Sequence, residues 1–354
     1  MSGTSRNLTY LLLAGAATLV VACTDAAAPG NPPPAIVLLA LRTFDGSGQA
    51  VHPDPAITPL TWNGSTRQLA VTPYPYGDAS KENPSLFTAR SWHDWPVPDG
   101  VMNPIVEPRS WGYLSDPDEL YNPDANELWI YYREVTTENA IFVIRAASPT
   151  QRADPVLVVS GPNHTIVSPS VVRRGPNEWW MWSVNSGFAG CGGLSTTVEL
   201  RRSSDGLTWS APVLTDLAEK DSYPWHIDVE WVASRGEFWA IYNVKEPGSC
   251  TTPTLHFATS PDGIVWTPAA FPLLVRGAIP AFADIVYRAA AYYDATDGLV
   301  TLWYSGARFE NSQYTWRVAT ERLTLDALFA RLNTRPIGAI GVSDAPPLTN
   351  DDAP

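Results

Sequence analysis

Two segments of the chain carry the same turn, Ser203-Ser204-Asp205-Gly206-Leu207-Thr208-Trp209 and Ser260-Pro261-Asp262-Gly263-Ile264-Val265-Trp266, and both read S-x-D-G-x-x-W. Their tryptophans lie 57 residues apart, and a worn copy ends at Trp95, twice that interval upstream of Trp209. In such a turn the aspartate bonds backbone amides, the glycine supplies positive φ, and the tryptophan pins the next strand. One copy marks a hairpin; copies at a fixed period mark a repeated supersecondary unit.

A second series keeps the same period. Glu127–Arg133, Glu178–Val184, Glu237–Asn243 and Leu299–Ser305 all read as aromatic-rich strands, each preceded by a shorter strand that opens on polar residues. The openings are His52-Pro53-Asp54-Pro55, Ser115-Asp116-Pro117-Asp118, Ser168-Pro169-Ser170, His226-Ile227-Asp228-Val229-Glu230 and Asp284-Ile285-Val286-Tyr287-Arg288. Five copies predict an all-β, five-bladed β-propeller with blades starting near 50, 112, 166, 224 and 282, because radial repetition protects sheet edges. Composition agrees: 33 prolines forbid long helices, while 15 tryptophans and 14 tyrosines favour strands. Only 323–332 has helical spacing. The innermost strand of each blade lines the channel, so the five polar openings are expected to converge on one mouth.

The ends read differently. Arg6 precedes an apolar run, Leu11 to Val21, that is too short to span a bilayer and suits a secretory signal. The run closes on Val20-Val21-Ala22-Cys23, which resembles the lipobox of bacterial lipoproteins. That resemblance makes residues 1–22 a signal peptide and Cys23 the lipidated N-terminus, and Thr24 in place of Asp favours the outer membrane or cell surface. Residues 23–48, with Pro32-Pro33-Pro34, read as a flexible tether, 49–334 as the propeller, and 335–354 as a disordered tail. Cys191 and Cys250 then remain as a pair on equivalent loops of adjacent blades, which predicts a disulfide, with a metal or thiol role as the alternative. Thirty-six acidic against 23 basic residues give a net charge of −13, which argues against nucleic acid as a partner. A monomer is expected.

Openings rich in Asp-Pro resemble the five-bladed glycoside hydrolase superfamily of arabinanases, β-xylosidases, invertases and levansucrases, over roughly residues 50 to 322. A finer likeness is to bacterial and phage propeller proteins that carry His52-Pro53-Asp54, Trp62-Asn63-Gly64, Thr72-Pro73-Tyr74-Pro75, Glu82-Asn83-Pro84, Ser115-Asp116-Pro117-Asp118 and Tyr132-Arg133 in this order. The resemblance implies a catalytic Asp in blade 1, matched by Asp54, a second Asp in blade 2, matched by Asp116, and an acid Glu in blade 3. Blade 3 departs from this, offering Ser168 and Ser170.

Glycoside hydrolysis needs two carboxyl groups with separated pKa values, which a crowded ring of acids can supply. The candidate catalytic residues are Asp54, Asp116, Asp228 and Glu230, the last two sharing a strand face so that Glu230 could stand in as the acid. His52, Glu82, His226 and Arg288 are candidates for substrate binding, Arg288 needing a ring carboxylate or a substrate oxygen if buried. Asp118 reads as a turn residue, and Asp284 as a fifth member of the ring. With five histidines and no H-x-H or H-E-x-x-H pattern, no histidine metal site is expected; a central Ca²⁺ held by carboxylates is the one cofactor the ring leaves open. The expected function is that of a lipid-anchored surface propeller hydrolysing glycosidic bonds of an oligo- or polysaccharide. The alternative is a non-catalytic carbohydrate-binding or envelope interaction module.

Overall fold

The computed structural model describes residues 36–220 and 223–336. The signal segment, Cys23 and all but the first two residues of the expected tail lie outside them. Five sheets follow one another along the chain. Blade 1 comprises Ala50–Trp62, Ser65–Pro73 and Ser85–Thr88. Blade 2 comprises Tyr113–Asn122, Glu127–Val135, Glu138–Ala146 and Val156–Pro162. Blade 3 comprises Val167–Gly175, Glu178–Asn185, Thr197–Ser203 and Val213–Leu214. Blade 4 is built on Pro224–Val232, Glu237–Val244 and Thr254–Ser260, with Thr267–Pro268 and Leu274–Val275 both paired to its third strand. Blade 5 comprises Ile285–Asp294, Leu299–Glu310 and Gln313–Thr324. The inner strands therefore begin where the repeat places them.

Blade 5 gains its outermost strand from the other end of the chain. Val37–Leu38 pairs antiparallel with Thr320 and Ala319, and the Leu39 amide donates to the Val318 carbonyl. Leu39 and Leu41 are buried against Trp303 and Val318. The folded unit thus starts before residue 49, the boundary read from sequence, because Val37–Leu38 covers an edge that would otherwise be open while Leu39 and Leu41 anchor it in the core. A helix, Leu325–Leu332, capped by the Thr324 hydroxyl accepting from the Ala327 amide, closes the domain.

The repeated turn does more than reverse the chain. Asp262 Oδ1 accepts from the Ile264 and Val265 amides at 2.9 and 2.8 Å, as Asp205 Oδ1 does from Leu207 and Thr208. The glycine meanwhile docks on the preceding blade: the Gly263 carbonyl accepts from Trp182 Nε1, and that of Gly206 from the Tyr131 hydroxyl. Gly263 has φ +70°, and a Cβ there would lie 2.6 Å from the Trp182 ring. Gly263→Ala is therefore expected to cost roughly 2–4 kcal/mol, from the left-handed backbone and the overpacked indole together. Urea unfolding monitored by tryptophan fluorescence measures it, and a loss below 1 kcal/mol would refute this account of the turn.

Candidate functional site

All five inner strands slip register at the same height. The pairing jumps between Val51 and Asp54, Ser115 and Asp118, Pro224 and Ile227, and Val286 and Ala289, and in blade 3 the partners of Trp182 and Val184 are Ser170 and Val167. The residues left unpaired are His52-Pro53, Asp116-Pro117, Ser168-Pro169, Trp225-His226 and Tyr287-Arg288. Proline has no N–H to give to a ladder, so its natural place in an inner strand is such a bulge. His52, Asp116 and Ser168 carry positive φ of 54°, 51° and 54°. Bulges re-aim side chains at functional sites, and here they form one level of the channel.

At that level His52 Nε2 lies 3.3 Å and His226 Nδ1 3.1 Å from Asp116 Oδ1 in ion-pair contact, and none of these three buried atoms makes a hydrogen bond of regular geometry. One ligand atom from each residue falls within 4.8 Å of the others. The far side of each group is held. His52 Nδ1 meets Thr72 Oγ1 at 3.0 Å and Glu82 Oε2 at 3.2 Å, and the Thr72 hydroxyl donates to Glu82. Asp116 Oδ2 accepts from Arg133 at 3.2 Å and from the Ser115 hydroxyl at 3.3 Å. The half-buried Tyr287 ring lies 4.5 Å from His226 and 5.4 Å from His52.

Burial alone would raise the Asp116 pKa, but the fields of the two histidines and Arg133 bring it well below the usual carboxylate range. Burial lowers that of His226 to about 4, against the pull of Asp116. His226 is therefore neutral at pH 7, while the Arg133 guanidinium 3.2 Å from Asp116 stays charged. An ionised carboxylate beside a neutral imidazole is the protonation state a metal ion requires.

Two residues further along each strand, about 7 Å down the channel, lies a second level. Asp54 accepts from the Glu119 amide at 2.8 Å, Asp118 from Val171 at 2.9 Å, Ser170 from Val229 at 2.8 Å and Asp228 from Ala291 at 3.4 Å. Each side chain thus bonds the backbone of the next blade. Arg288 fills the centre, with a terminal nitrogen 3.1 Å from Asp54, 3.7 Å from Asp118 and 3.9 Å from Asp228, and it donates to the Pro117 carbonyl. Being about 1% exposed and enclosed by these partners, Arg288 is a hub between blades rather than the substrate-binding residue expected from sequence.

The structure therefore divides the candidate residues. His52, Glu82, Asp116 and His226 come together at the bulge level. Asp54, Asp118 and Asp228 surround the hub and, together with Glu119, Glu230, Trp231 and Tyr292, line a cavity of about 360 Å³. Of the four carboxylates grouped as catalytic, Asp54, Asp228 and Glu230 line that cavity, and Asp116 lies apart from them with His52 and His226. Asp284 stands apart, accepting from the Phe309 amide at 2.7 Å. Ser168 bonds both the amide and the carbonyl of Ile227. Trp62 and Trp225 are buried, while Trp111 is 53% exposed. The expected disulfide is present between Cys191 and Cys250. Sequence reasoning passed over Arg133 and Asp118 as site-shaping groups, although Tyr132-Arg133 and Ser115-Asp116-Pro117-Asp118 were its own signatures.

Burial raises the hub carboxyls, and the half-buried Glu230 to about 8 with help from Asp228. An acid whose folded pKa is raised favours the fold below its unfolded value, near 4, and that contribution is lost as pH climbs through the folded value. The melting temperature is expected to fall between pH 5 and pH 9, and Glu230→Gln to flatten that slope. Scanning calorimetry across this range checks it; an unchanged slope in the variant would contradict the assignment.

The fold is the five-bladed propeller of the family 43 and family 117 glycoside hydrolases. A thermostable family 43 enzyme superposes with a TM-score of 0.55 at 13% identity, covering 80% of this chain and 93% of its own. A family 117 enzyme from the marine bacterium Zobellia galactanivorans gives 0.53 at 14%, covering 82% and 91%. An N-acetylgalactosamine deacetylase from Flavonifractor plautii, solved with blood group B trisaccharide, gives 0.76 at 21%, covering 85% and 97%. In sequence the chain is 26% identical over 329 residues to the A type blood N-acetyl-α-D-galactosamine deacetylase of Flavonifractor plautii, a match spanning 79% of this chain and 43% of that protein. The chain thus spans less than half the length of this curated relative. No family model matches the chain.

Proposed function

We propose that the chain is a metal-dependent carbohydrate hydrolase that removes the acetyl group from an acetamido sugar. The observation that carries this reading is the set of three buried atoms, His52 Nε2, Asp116 Oδ1 and His226 Nδ1, which converge within 4.8 Å of one another with no regular hydrogen bond among them. Two imidazoles and a carboxylate form a three-ligand set that leaves a position open for water or substrate. A divalent cation there would polarise an amide carbonyl and lower the pKa of water. The chain's own groups do the remainder. Glu82 and Thr72 orient His52 through Nδ1, and Arg133 draws Asp116 Oδ2 away so that Oδ1 faces the histidines, the outer support that metal ligands need. Tyr287 presents a half-buried ring beside both imidazoles, where a sugar can stack, and its hydroxyl is fixed by Trp225 Nε1 at 3.3 Å.

Hydrolysis of glycosidic bonds is the second reading, favoured by the fold of the family 43 and 117 enzymes. It needs an acid opposite Asp116, and in blade 3 Ser168 and Ser170 are both spent between blades. The deciding assay follows acetate release from oligosaccharides ending in N-acetylgalactosamine or N-acetylglucosamine, beside a panel of aryl glycosides. Acetate release that stops with a chelator and returns with Mn²⁺, Co²⁺ or Zn²⁺ is expected. Aryl glycoside turnover without acetate would overturn the proposal in favour of the second reading.

The lipobox-like Cys23 extends the proposal to an enzyme held at the outer membrane or cell surface. Cys23→Ser is expected to move the protein from the membrane fraction to the soluble one. Unchanged fractionation would remove the anchor from the proposal.

A further inference from the structure

The Cys191–Cys250 bond joins two loops that leave the second strands of blades 3 and 4, over a separation of 59 residues. Both loops back the bulge level, from different sides. On one side, Cys191 sits in the short turn Gly190–Gly192, and Gly190 lies flat on the His164 ring, where a Cβ would come within 3.0 Å of the imidazole. The same loop holds His164 through the Ser186 amide, which donates to the His164 carbonyl. His164 Nδ1 meets an Arg133 terminal nitrogen at 3.5 Å, and Arg133 donates to Asp116. On the other side, two residues past Cys250, the Thr252 hydroxyl donates to the Val286 carbonyl at 2.5 Å, and the Val286 amide donates to the Thr252 carbonyl at 3.1 Å. Val286 is the residue before Tyr287, which packs on His226 and His52. Lys245 Nζ, donating to the Gly193 carbonyl, is a second tie between the same loops.

We propose that the Cys191–Cys250 disulfide and Gly190 are positioning elements of the cation pocket: the bond clamps the loop that presses His164 and Arg133 onto Asp116 to the loop that fixes Tyr287 over the histidines. The proposal rests on the cation reading above. Without the bond, the Gly190 turn loses its tie to blade 4, the His164 ring gains room to swing, and Arg133 no longer holds Asp116 Oδ1 toward His52 and His226. The strands stay paired, since the bond lies in loops outside every sheet.

The test titrates Co²⁺ into four purified full-length proteins below their melting temperatures, reading calorimetric affinity and the cobalt d–d absorption. They are the wild type, C191A/C250A, Gly190→Ala with the bond intact, and Leu328→Ala, which opens a cavity under the remote terminal helix. Expected is one bound equivalent in the wild type, at least tenfold weaker binding with an altered spectrum in C191A/C250A and in Gly190→Ala, and wild-type binding in Leu328→Ala despite its lower melting temperature. Wild-type affinity and spectrum in C191A/C250A would overturn the proposal; should that variant fail to fold, wild-type affinity in Gly190→Ala would do so. Equal weakening in Leu328→Ala would reduce the effect to general destabilisation and overturn it likewise. A wild type that binds no Co²⁺ would instead sink the cation reading itself.

Discussion

Arg288→Met is expected to be the most damaging single substitution in the channel at neutral and alkaline pH, and far less so in acid. The guanidinium is the one cation among Asp54, Asp118 and Asp228, and removing one partner of a buried charge set typically costs about 3–5 kcal/mol. The attraction of Arg288 holds the three carboxyls below where burial would otherwise put them, so its loss raises their pKa values further. The folded variant then binds protons more tightly than the unfolded chain, and its stability recovers as pH falls toward 4. Urea unfolding at pH 5 and pH 8 reads the difference directly. A deficit of equal size at both pH values would mean that lost packing, not uncompensated charge, is the cause.

Asp116→Asn should show the same pH trend in stability for a different reason, and act decisively on function. Asp116 is ionised in the fold and its pKa is depressed, so its stabilising contribution is present above the unfolded value near 4 and lost as pH falls through the folded one. The amide keeps the shape but leaves the Arg133 guanidinium buried without its carboxylate. A stability deficit of a few kcal/mol at pH 7 is expected, shrinking in acid as the wild type loses the same interaction. Cation affinity and acetate release should each fall at least a hundredfold, on the order of what metal sites lose when ligands or their supports are removed. Asp54→Asn, which lies on the blade 1 inner strand at the position equivalent to Asp118, should leave cation affinity within a factor of about three. If Asp54→Asn rather than Asp116→Asn abolished cation binding, the functional level would have to be moved down the channel.

The contrast between these substitutions shows what could be read without coordinates. Blade number, the starts of the inner strands and the disulfide were legible because each depends on local pattern at a fixed period. The height of each side chain in the channel was not. His52-Pro53-Asp54-Pro55 contains two prolines, and pairing Asp54-Pro55 with Asp116-Pro117 aligns two Asp-Pro steps that look alike. The bulge instead aligns Pro53 with Pro117 and Pro169, so that His52, Asp116 and Ser168 correspond, as do Asp54, Asp118 and Ser170. A slip of two residues keeps the strand face but changes the level, which is why Asp116 reads in sequence as the partner of Asp54 while the structure places it beside His52 and His226. His52, Asp116 and His226 escaped spacing rules for another reason: they arrive from blades 1, 2 and 4, with Asp116 and His226 110 positions apart, and a compact motif cannot span that interval.

The strand Val37–Leu38 lies in the same sheet as Gln313–Thr324, so a hydrogen-bonded pair links residues 37 and 320. During synthesis the first folded segment has no partner until nearly all of the ring has been made. Blade 5 is then completed by two pieces of chain that lie on either side of the other four blades in sequence, and every earlier stage leaves the edge of Gln313–Thr324 exposed or not yet translated. Long-range pairing of this kind is slow to form, and an uncovered edge invites pairing with other chains. A chain stopped anywhere short of residue 324 would thus present an incomplete ring to its surroundings, an edge that Val37–Leu38 covers once the molecule has closed.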